Sequence, residues 1–184
     1  MNIYDFDGTL YAGDSTFDFI KFSLKKYPKL LRFLPRQGLA FLLYAVGRID
    51  KTAMKERFYE MLTGYDAEAL LTEFWDVHRG NIFPWYYDQQ EETDIVISAS
   101  PEFLLAPICE RLGIRHMIAS RVDVHTGKYT GKNCRGAEKV TRLKDELGVT
   151  HCDCFYSDSH SDTPLAEISD KAYLVKDGAI SPWH

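Results

Sequence analysis

Three short apolar segments of the chain end in oxygen-bearing side chains, and this pattern limits the folds that the chain can adopt. The segments cover residues 2–6, 94–98 and 152–157, and each has the length and composition of a buried strand. The side chains at or just after their ends are Asp5, Asp7, Ser98, Asp158 and Asp162. Ligands of open parallel sheets bind beyond the carboxyl ends of the strands, so these groups are predicted to share one sheet edge.

Helical periodicity between these strands favours an α/β fold. Apolar residues recur at intervals of three and four from Ser15 to about Trp85, and helices are also predicted over 101–112 and 136–147. Further extended pieces are expected at 115–119, 122–130 and 172–175, with a turn at Asp177-Gly178. Strands that alternate with helices predict a parallel sheet with right-handed crossovers.

The acidic groups also predict a cation. Four carboxylates at one sheet edge would repel one another unless a positive ion lay among them. Such oxygen ligands favour Mg²⁺, which keeps several waters and shares phosphate oxygens. The residues therefore predict a magnesium site formed by Asp5, Asp7, Asp158 and Asp162.

Motifs in this order resemble the haloacid dehalogenase superfamily over nearly the whole chain. They are DFDGTL from Asp5, VISASP with Ser98, and YSDSHSD with Asp158 and Asp162. The long insertion after the first motif resembles the helical cap of the phosphoserine-phosphatase-like subgroup.

The resemblance implies a Rossmann-like, three-layer α/β/α fold with a parallel sheet. It places the catalytic core at residues 1–12 and 86–184, and a cap of the C1 type at residues 13–85. A chain of 184 residues has room for one such domain with a modest insertion.

The resemblance also implies a role for each acidic residue. Asp5 would attack phosphorus and form an aspartyl-phosphate. Asp7 would act as general acid toward the leaving alcohol and then as general base for water. Asp158 would hold Mg²⁺ together with Asp5 and the main-chain carbonyl of Asp7, and Asp162 would position that cluster.

Five residues are expected to bind the transferring phosphate. Gly8 allows the backbone to turn closely around it, and the resemblance adds Ser98 and Ala99 after the second strand. The family's third motif supplies a cation that neutralises charge in the transition state. Lys139, in GAEKV, is the preferred candidate for that cation, and Arg135, on the same helix face, is the second.

Two cap residues resemble substrate contacts of phosphoserine phosphatases. Asp14 falls where those enzymes carry a Glu that contacts the substrate amine, and Arg57 resembles their arginine for the substrate carboxylate. Asp14 is one methylene shorter than Glu and equally suits the N-cap of a helix that begins near Ser15. Arg57 equally suits an exposed helix charge.

The cap also contains a segment that is both basic and apolar. Residues 21–51 carry eight basic residues against Asp50 alone, a formal +7 that leaves −12 for the remainder of a −5 chain. The uncharged run Gln37–Gly47 is shorter than the ~20 residues that span a bilayer. Such a helix suits the interface of an anionic membrane, or it packs the cap against itself. The stretches FYSDSHSDTPL and GAEKV resemble bacterial phosphatidylglycerophosphatases, which makes a lipid phosphate a candidate substrate.

Composition indicates the setting of the protein. The net charge gives no reason to expect nucleic acid as a partner. The four cysteines lack the spacing of a zinc site or a disulfide framework, which indicates a reducing compartment. The N-terminus shows no targeting pattern, so a cytoplasmic location is expected, with peripheral contact at the inner membrane face as an extension.

These observations predict a magnesium-dependent phosphomonoester phosphatase that acts on a small-molecule or lipid phosphate. Two alternatives stay open at this point. One is a phosphotransferase, in which another alcohol discharges the aspartyl-phosphate. The other is a catalytically inactive regulatory or scaffold protein. The sequence does not specify an oligomeric state.

Overall fold

The computed structural model describes all 184 residues and contains one six-stranded sheet. The strands are β1 (Asn2–Tyr4), β2 (Ile95–Pro101), β3 (His116–Ser120), β4 (Cys152–Ser157), β5 (Ser169–Lys176) and β6 (Ala179–Pro182). Their spatial order is β3-β2-β1-β4-β5-β6, and every neighbouring pair is parallel except β5 and β6. The predicted parallel α/β fold is therefore confirmed.

Eight helices accompany the sheet. They are α1 (Ser15–Lys26), α2 (Leu34–Ala45), α3 (Lys51–Tyr59), α4 (Ala67–His78), α5 (Pro84–Gln89), α6 (Glu102–Arg111), α7 (Ala137–Leu147) and α8 (Thr163–Ala166). Short 3₁₀ segments lie at Pro28–Phe33, Glu60–Leu62, Arg79–Asn81 and His160–Asp162. The helical pattern predicted between Ser15 and Trp85 corresponds to α1–α4 and the start of α5.

The sheet has an apolar layer on each face because successive strand residues point to opposite sides. In β1, Ile3 belongs to a cluster with Leu143 of α7 and Leu165 of α8. The next residue, Tyr4, belongs to a larger cluster with Leu104 of α6. This arrangement of helices on both faces gives the three-layer architecture.

The larger apolar cluster continues from the core into the helical insertion. Trp75 of α4 packs edge-on against Phe6, and its indole nitrogen donates a hydrogen bond to the Leu104 carbonyl, 2.7 Å away. The cap and the core therefore share one buried surface. The proposed boundary after residue 85 falls inside α5, and the division into cap and core stays a prediction.

Two extended pieces differ from the sequence-based expectation. Residues 122–130 form only a single bridge, between Val122 and Tyr129, rather than a strand. The turn at Asp177 and Gly178 is present, with φ of +49° and +82°, and it leads into the unpredicted strand β6. All four residues of β6 are exposed, so this strand lacks the apolar alternation by which a strand is recognised.

Candidate active site

A cavity of about 490 Å³ lies between the carboxyl edge of the sheet and the cap. The ends of three strands contribute polar groups to it, and α1, α2 and α3 contribute the opposite wall. Its lining includes most of the residues that the sequence singled out: Asp5, Asp7, Asp14, Ser98, Ala99, Arg135, Lys139, Asp158 and Asp162.

Lys139 lies at the centre of a buried charge network. Its side chain belongs to the first turns of α7 and is only 1% exposed. The ammonium donates to Asp5 Oδ1 at 2.8 Å and to Asp162 Oδ2 at 2.6 Å. Ser157, at the end of β4, donates a second hydrogen bond to the same Oδ2 atom of Asp162. Lys139 therefore contacts two of the predicted site carboxylates, whereas Arg135 contacts neither of them.

Burial and a neighbouring cation act in opposite directions on the pKa of Asp5. Removal from water is the largest influence on the pKa of Asp5 and raises it. The neighbouring ammonium of Lys139 acts in the opposite direction and favours the charged form. An ionised carboxylate next to a fixed cation is the form that a nucleophilic role requires.

Asp7 has a different environment, although it lies only two residues further along the chain. Its Oδ1 accepts a hydrogen bond from the Ser15 amide at the start of α1, at 2.7 Å, and its Oδ2 contacts the Ser100 hydroxyl. Burial, followed by the charge of Asp14, raises the pKa of Asp7 to about 6. This carboxyl group can therefore carry a proton close to neutral pH, as a general acid must.

The structure does not arrange the four predicted carboxylates as one set of metal ligands, and the four-residue magnesium site stays a prediction. No group of three or more Asp, Glu, His or Cys side chains has the arrangement of a ready metal site. The Asp7 carboxylate points toward Ser15 and Ser100, and one oxygen of Asp162 is taken by Lys139 and Ser157. The Asp158 carboxylate is left for an ion, together with the one oxygen each of Asp5 and Asp162 that Lys139 does not contact.

The residues around Asp158 nevertheless fit a divalent cation. Burial, and then the negative charges of Asp5 and Asp162, raise the pKa of Asp158 to about 6, although the charge of Lys139 acts in the opposite direction. An added cation would favour the charged form of Asp158. The Oδ1 atom of Asp162 is buried without a hydrogen-bond partner. A Cβ atom on Gly8 would lie 2.4 Å from Asp158 Oδ2, so only glycine allows this approach of the loop to the carboxylate. Oxygen-only donors of this type suit Mg²⁺.

Gly8 offers a direct test of that close approach. Its φ is +71°, so Gly8→Ala is expected to cost about 1–2 kcal/mol of unfolding free energy through backbone strain. The new methyl group would also displace Asp158, so hydrolytic activity is expected to fall at least ~10-fold. The matched control is Gly148→Ala, which has a φ of +68° and no atom within 4 Å of the new Cβ. Equal activity losses in the two variants, measured beside urea unfolding curves, would contradict this role of Gly8.

The two predicted cap contacts have different outcomes. Asp14 lines the cavity, and its side chain also caps α1 by accepting a hydrogen bond from the Phe17 amide at 2.8 Å. Arg57 does not line the cavity. It pairs at 3.0 Å with Glu60, the first residue of the 3₁₀ segment after α3, and the structure therefore gives no support for Arg57 as a substrate contact.

Sequence reasoning missed several residues that line the cavity. Lys51 and Lys55 lie one helical turn apart on α3 and project into the cavity, and Ser100 follows Ser98 by two positions in β2. The spacing of four on α3 and of two on β2 was the available signal. The missed apolar part of the lining consists of Phe17, Ile20, Phe41, Met54 and Phe58.

The fold and the site together define a hydrolase built around a buried aspartate. The chain belongs to the haloacid dehalogenase-like hydrolase family, whose model matches residues 3–167. This confirms the family predicted from the motifs.

Relatives and a solved structure agree with this assignment. Protein CicA of Caulobacter vibrioides is 28% identical over 94% of this chain and 84% of its own length. Histidinol-phosphatase of Neisseria meningitidis is 26% identical over 97% of this chain and 91% of its own length. A probable phosphoserine phosphatase from Vibrio cholerae superposes with a TM-score of 0.66 at 12% identity, over 93% of this chain and 55% of that one. The chain is thus an enzyme of the phosphatase class, and its fold is similar to that of the phosphoserine phosphatases.

Proposed function

We propose that the protein is a magnesium-dependent phosphomonoester phosphatase that uses Asp5 as a covalent nucleophile. The observation that carries this proposal is the Asp5–Lys139 contact at the floor of the cavity, 2.8 Å long and buried. A cation at that position favours the ionised form of the nucleophile and is near enough to balance charge on a bound phosphoryl group.

The proposed reaction has two displacements at phosphorus. In the first, a carboxylate oxygen of Asp5 forms a bond to phosphorus while the bond to the ester oxygen breaks, and Asp7 gives its proton to the leaving alcohol. In the second, water attacks the same phosphorus, Asp7 takes a proton from it, and the Asp5 carboxylate is released with inorganic phosphate. The hydroxyl of Ser98 would hold the phosphoryl oxygens in this cavity. Gly8 lines a second, adjoining cavity, and its amide already donates to the Tyr11 and Gly13 carbonyls, so Gly8 would act by allowing the loop to approach Asp158.

Asp5, Asp158 and the main-chain carbonyl of Asp7 would hold Mg²⁺. When bound, the ion neutralises charge on the phosphate and lowers the repulsion between Asp5 and Asp158. Asp162 would act on the ion indirectly, because Lys139 and Ser157 fix its position.

Metal binding is testable without any substrate. At a free Mg²⁺ concentration about 100 times its dissociation constant, the free energy of unfolding is expected to rise by about 2.7 kcal/mol. Asp158→Asn should lose this response. Without metal, it should be no less stable than the wild type, because the substitution removes one of the repelling charges. Urea unfolding with and without Mg²⁺ measures both effects, and an equal Mg²⁺ response in the variant would contradict the assignment of Asp158.

The lining of the cavity supports a substrate whose leaving group is partly apolar. Phe17, Phe41 and Phe58 face the polar floor from the cap, so a purely polar alcohol would leave this wall unused. The candidates are a lipid phosphate and a small metabolite phosphate, the class named for the Neisseria relative. Phosphate release from a panel with alkyl phosphates of increasing length, phosphoserine and phosphatidylglycerol phosphate would rank them. Transfer of the phosphoryl group to an added alcohol, in place of water, would favour the phosphotransferase alternative.

The surface of α2 supports peripheral contact with an anionic membrane. Only Gln37 and Ala40 of this helix are buried, so most of the run faces away from the interior of the cap. Leu39, Phe41 and Leu42 are each 55–59% exposed, and Phe41 also lines the cavity. The apolar surface therefore reaches the mouth of the site.

Basic side chains border this apolar face of α2. Arg32 and Arg48 are exposed and lie at its two ends, and neither forms a salt bridge. This combination matches a surface of anionic headgroups above an acyl layer. No helix in the structure combines the length and apolarity needed to cross a bilayer.

Vesicle co-sedimentation tests this surface. The wild type is expected to bind anionic vesicles and to release them as salt rises, because the attraction is partly electrostatic. Replacing both Leu42 and Val46 by Ser should weaken vesicle binding at least ~10-fold. Each substitution removes most of the favourable free energy of transferring that side chain from water into the membrane interface. Val77→Ser on α4, which removes a side chain that is 69% exposed, is the matched control. Equal binding by all variants, or dimer formation through α2, would contradict the membrane proposal.

A further inference from the structure

Three cations line the cavity without an acidic partner. Lys51 and Lys55 come from α3, and Arg135 comes from the loop before α7. Of the four cations in the cavity lining, only Lys139 forms salt bridges. Lys55 is held in place by a hydrogen bond from its Nζ atom to the Ala99 carbonyl, at 3.0 Å. These three residues are called the cation cluster below.

The members of the cation cluster are close enough to repel one another. Burial is the largest influence on the pKa of Lys55 and lowers it to about 8, and the charges of Lys51 and Arg135 act in the same direction. The pKa of Lys51 is lowered by burial and then by Arg135. The carboxylates of Asp7 and Asp14 oppose this shift of Lys55 without forming a salt bridge to it. A bound anion would relieve the repulsion among the three cations.

The transferring phosphate does not account for the whole cluster. In the proposed reaction, that phosphate is already held by Lys139 and Ser98. Lys51 lies one helical turn further from the Ala99 carbonyl than Lys55 does, toward the start of α3. The cavity therefore presents positive charge beyond the phosphate floor, beside its apolar wall.

We propose that Lys51, Lys55 and Arg135 form a second anion subsite. The preferred substrate is then a phosphomonoester whose leaving alcohol carries another negative group, namely a phosphate, a phosphodiester or a carboxylate. This inference rests on the proposed function, because it assigns the leaving group at the same site. An ester of an amino alcohol, with a positive charge in that position, is expected to bind poorly.

The test measures binding, so that it does not depend on turnover. The Asp5→Asn chain is titrated calorimetrically, at one fixed Mg²⁺ concentration, with alkyl phosphates and with alkanediol bisphosphates of the same carbon numbers. At the spacer length that fits, the bisphosphate is expected to bind at least ~10-fold more tightly than its monophosphate partner. Adding Lys51→Gln or Arg135→Gln should reduce this preference to within about 2-fold. Lys171→Gln, an exposed unpaired lysine on β5, makes the same charge change and should preserve the preference.

Two outcomes would overturn the inference. One is equal affinity for both ligands at every spacer length. The other is an equal loss of affinity for both ligands in the cluster variants, which would mean that the cluster binds the transferring phosphate itself.

Phosphate release by the active chain is a separate measurement. If neither ester is hydrolysed, the proposed function fails, while a bisphosphate preference in binding would still stand. Parallel titrations with ω-phosphocarboxylates and with phosphodiester-linked phosphates identify which anion the subsite accepts.

Discussion

An Asp5→Asn chain is expected to release phosphate at least ~10³-fold more slowly than the wild type. The amide has almost the shape of the carboxylate but is a poor nucleophile and cannot form the acyl-phosphate bond. The fold should survive, because the amide oxygen can still accept the hydrogen bond from Lys139, now 2.8 Å from Asp5 Oδ1. The measurement is phosphate release from one soluble ester in Mg²⁺.

Asp145→Asn is the matched control for this experiment. Asp145 is exposed on α7 and forms no salt bridge, so the same chemical change there should leave the rate within about 2-fold. Acid-quenched wild-type protein should carry a phosphoryl group on Asp5, detectable by mass spectrometry. An Asp5→Asn chain with near wild-type activity would exclude the covalent mechanism and leave Asp5 as a metal or structural residue.

The floor of the site could be predicted from the sequence because strand ends determine it. Once the segments around Asp5, Ser98 and Asp158 are recognised as parallel strands, their side chains must meet at one sheet edge, and the structure brings all three to one cavity. The separate role of each carboxylate could not be predicted in the same way. Whether the Asp7 carboxylate faces an ion or the start of α1 depends on the path of the loop between them.

The cap was less predictable because its orientation depends on tertiary packing. Arg57 and Lys55 are two residues apart on α3, so their side chains differ by about 200° around the helix axis. The sequence alone is compatible with either side chain facing the site. The packing of α3 over the core decides that Lys55 reaches the Ala99 carbonyl while Arg57 pairs with Glu60. Periodicity likewise identified α2 as a helix without indicating that its apolar face is exposed.

A Lys139→Met chain is expected to lose both activity and stability. The substitution fills a similar volume but removes the cation that lies 2.8 Å from Asp5 and 2.6 Å from Asp162. Two buried carboxylates would then face each other, and removing one partner of a buried ion pair typically costs about 3–5 kcal/mol. Urea unfolding at neutral pH without Mg²⁺ measures this cost.

The loss of unfolding free energy in the Lys139→Met chain depends on pH, in a direction set by the sign of the pKa shift of Asp5. Without Lys139, the pKa of Asp5 in the folded protein rises further above its unfolded value, because the ammonium was the group that favoured the charged form. The folded variant then binds protons more tightly than the unfolded chain, so its stability increases as the pH falls through the folded-state pKa. The difference in unfolding free energy between wild type and variant should therefore narrow toward acidic pH. A pH-independent difference would indicate lost packing instead of unbalanced charge.

A second substitution separates the structural role of Lys139 from its catalytic role. Asp162→Asn in the Lys139→Met chain removes one of the two unbalanced carboxylates, so part of the lost unfolding free energy should return. Phosphate release should stay low, because no cation remains beside the nucleophile to balance charge on the phosphoryl group. Recovery of stability without recovery of activity would show that the ammonium is needed for the reaction as well as for the fold. Joint recovery of both would mean that Lys139 acts only by keeping Asp5 and Asp162 in place.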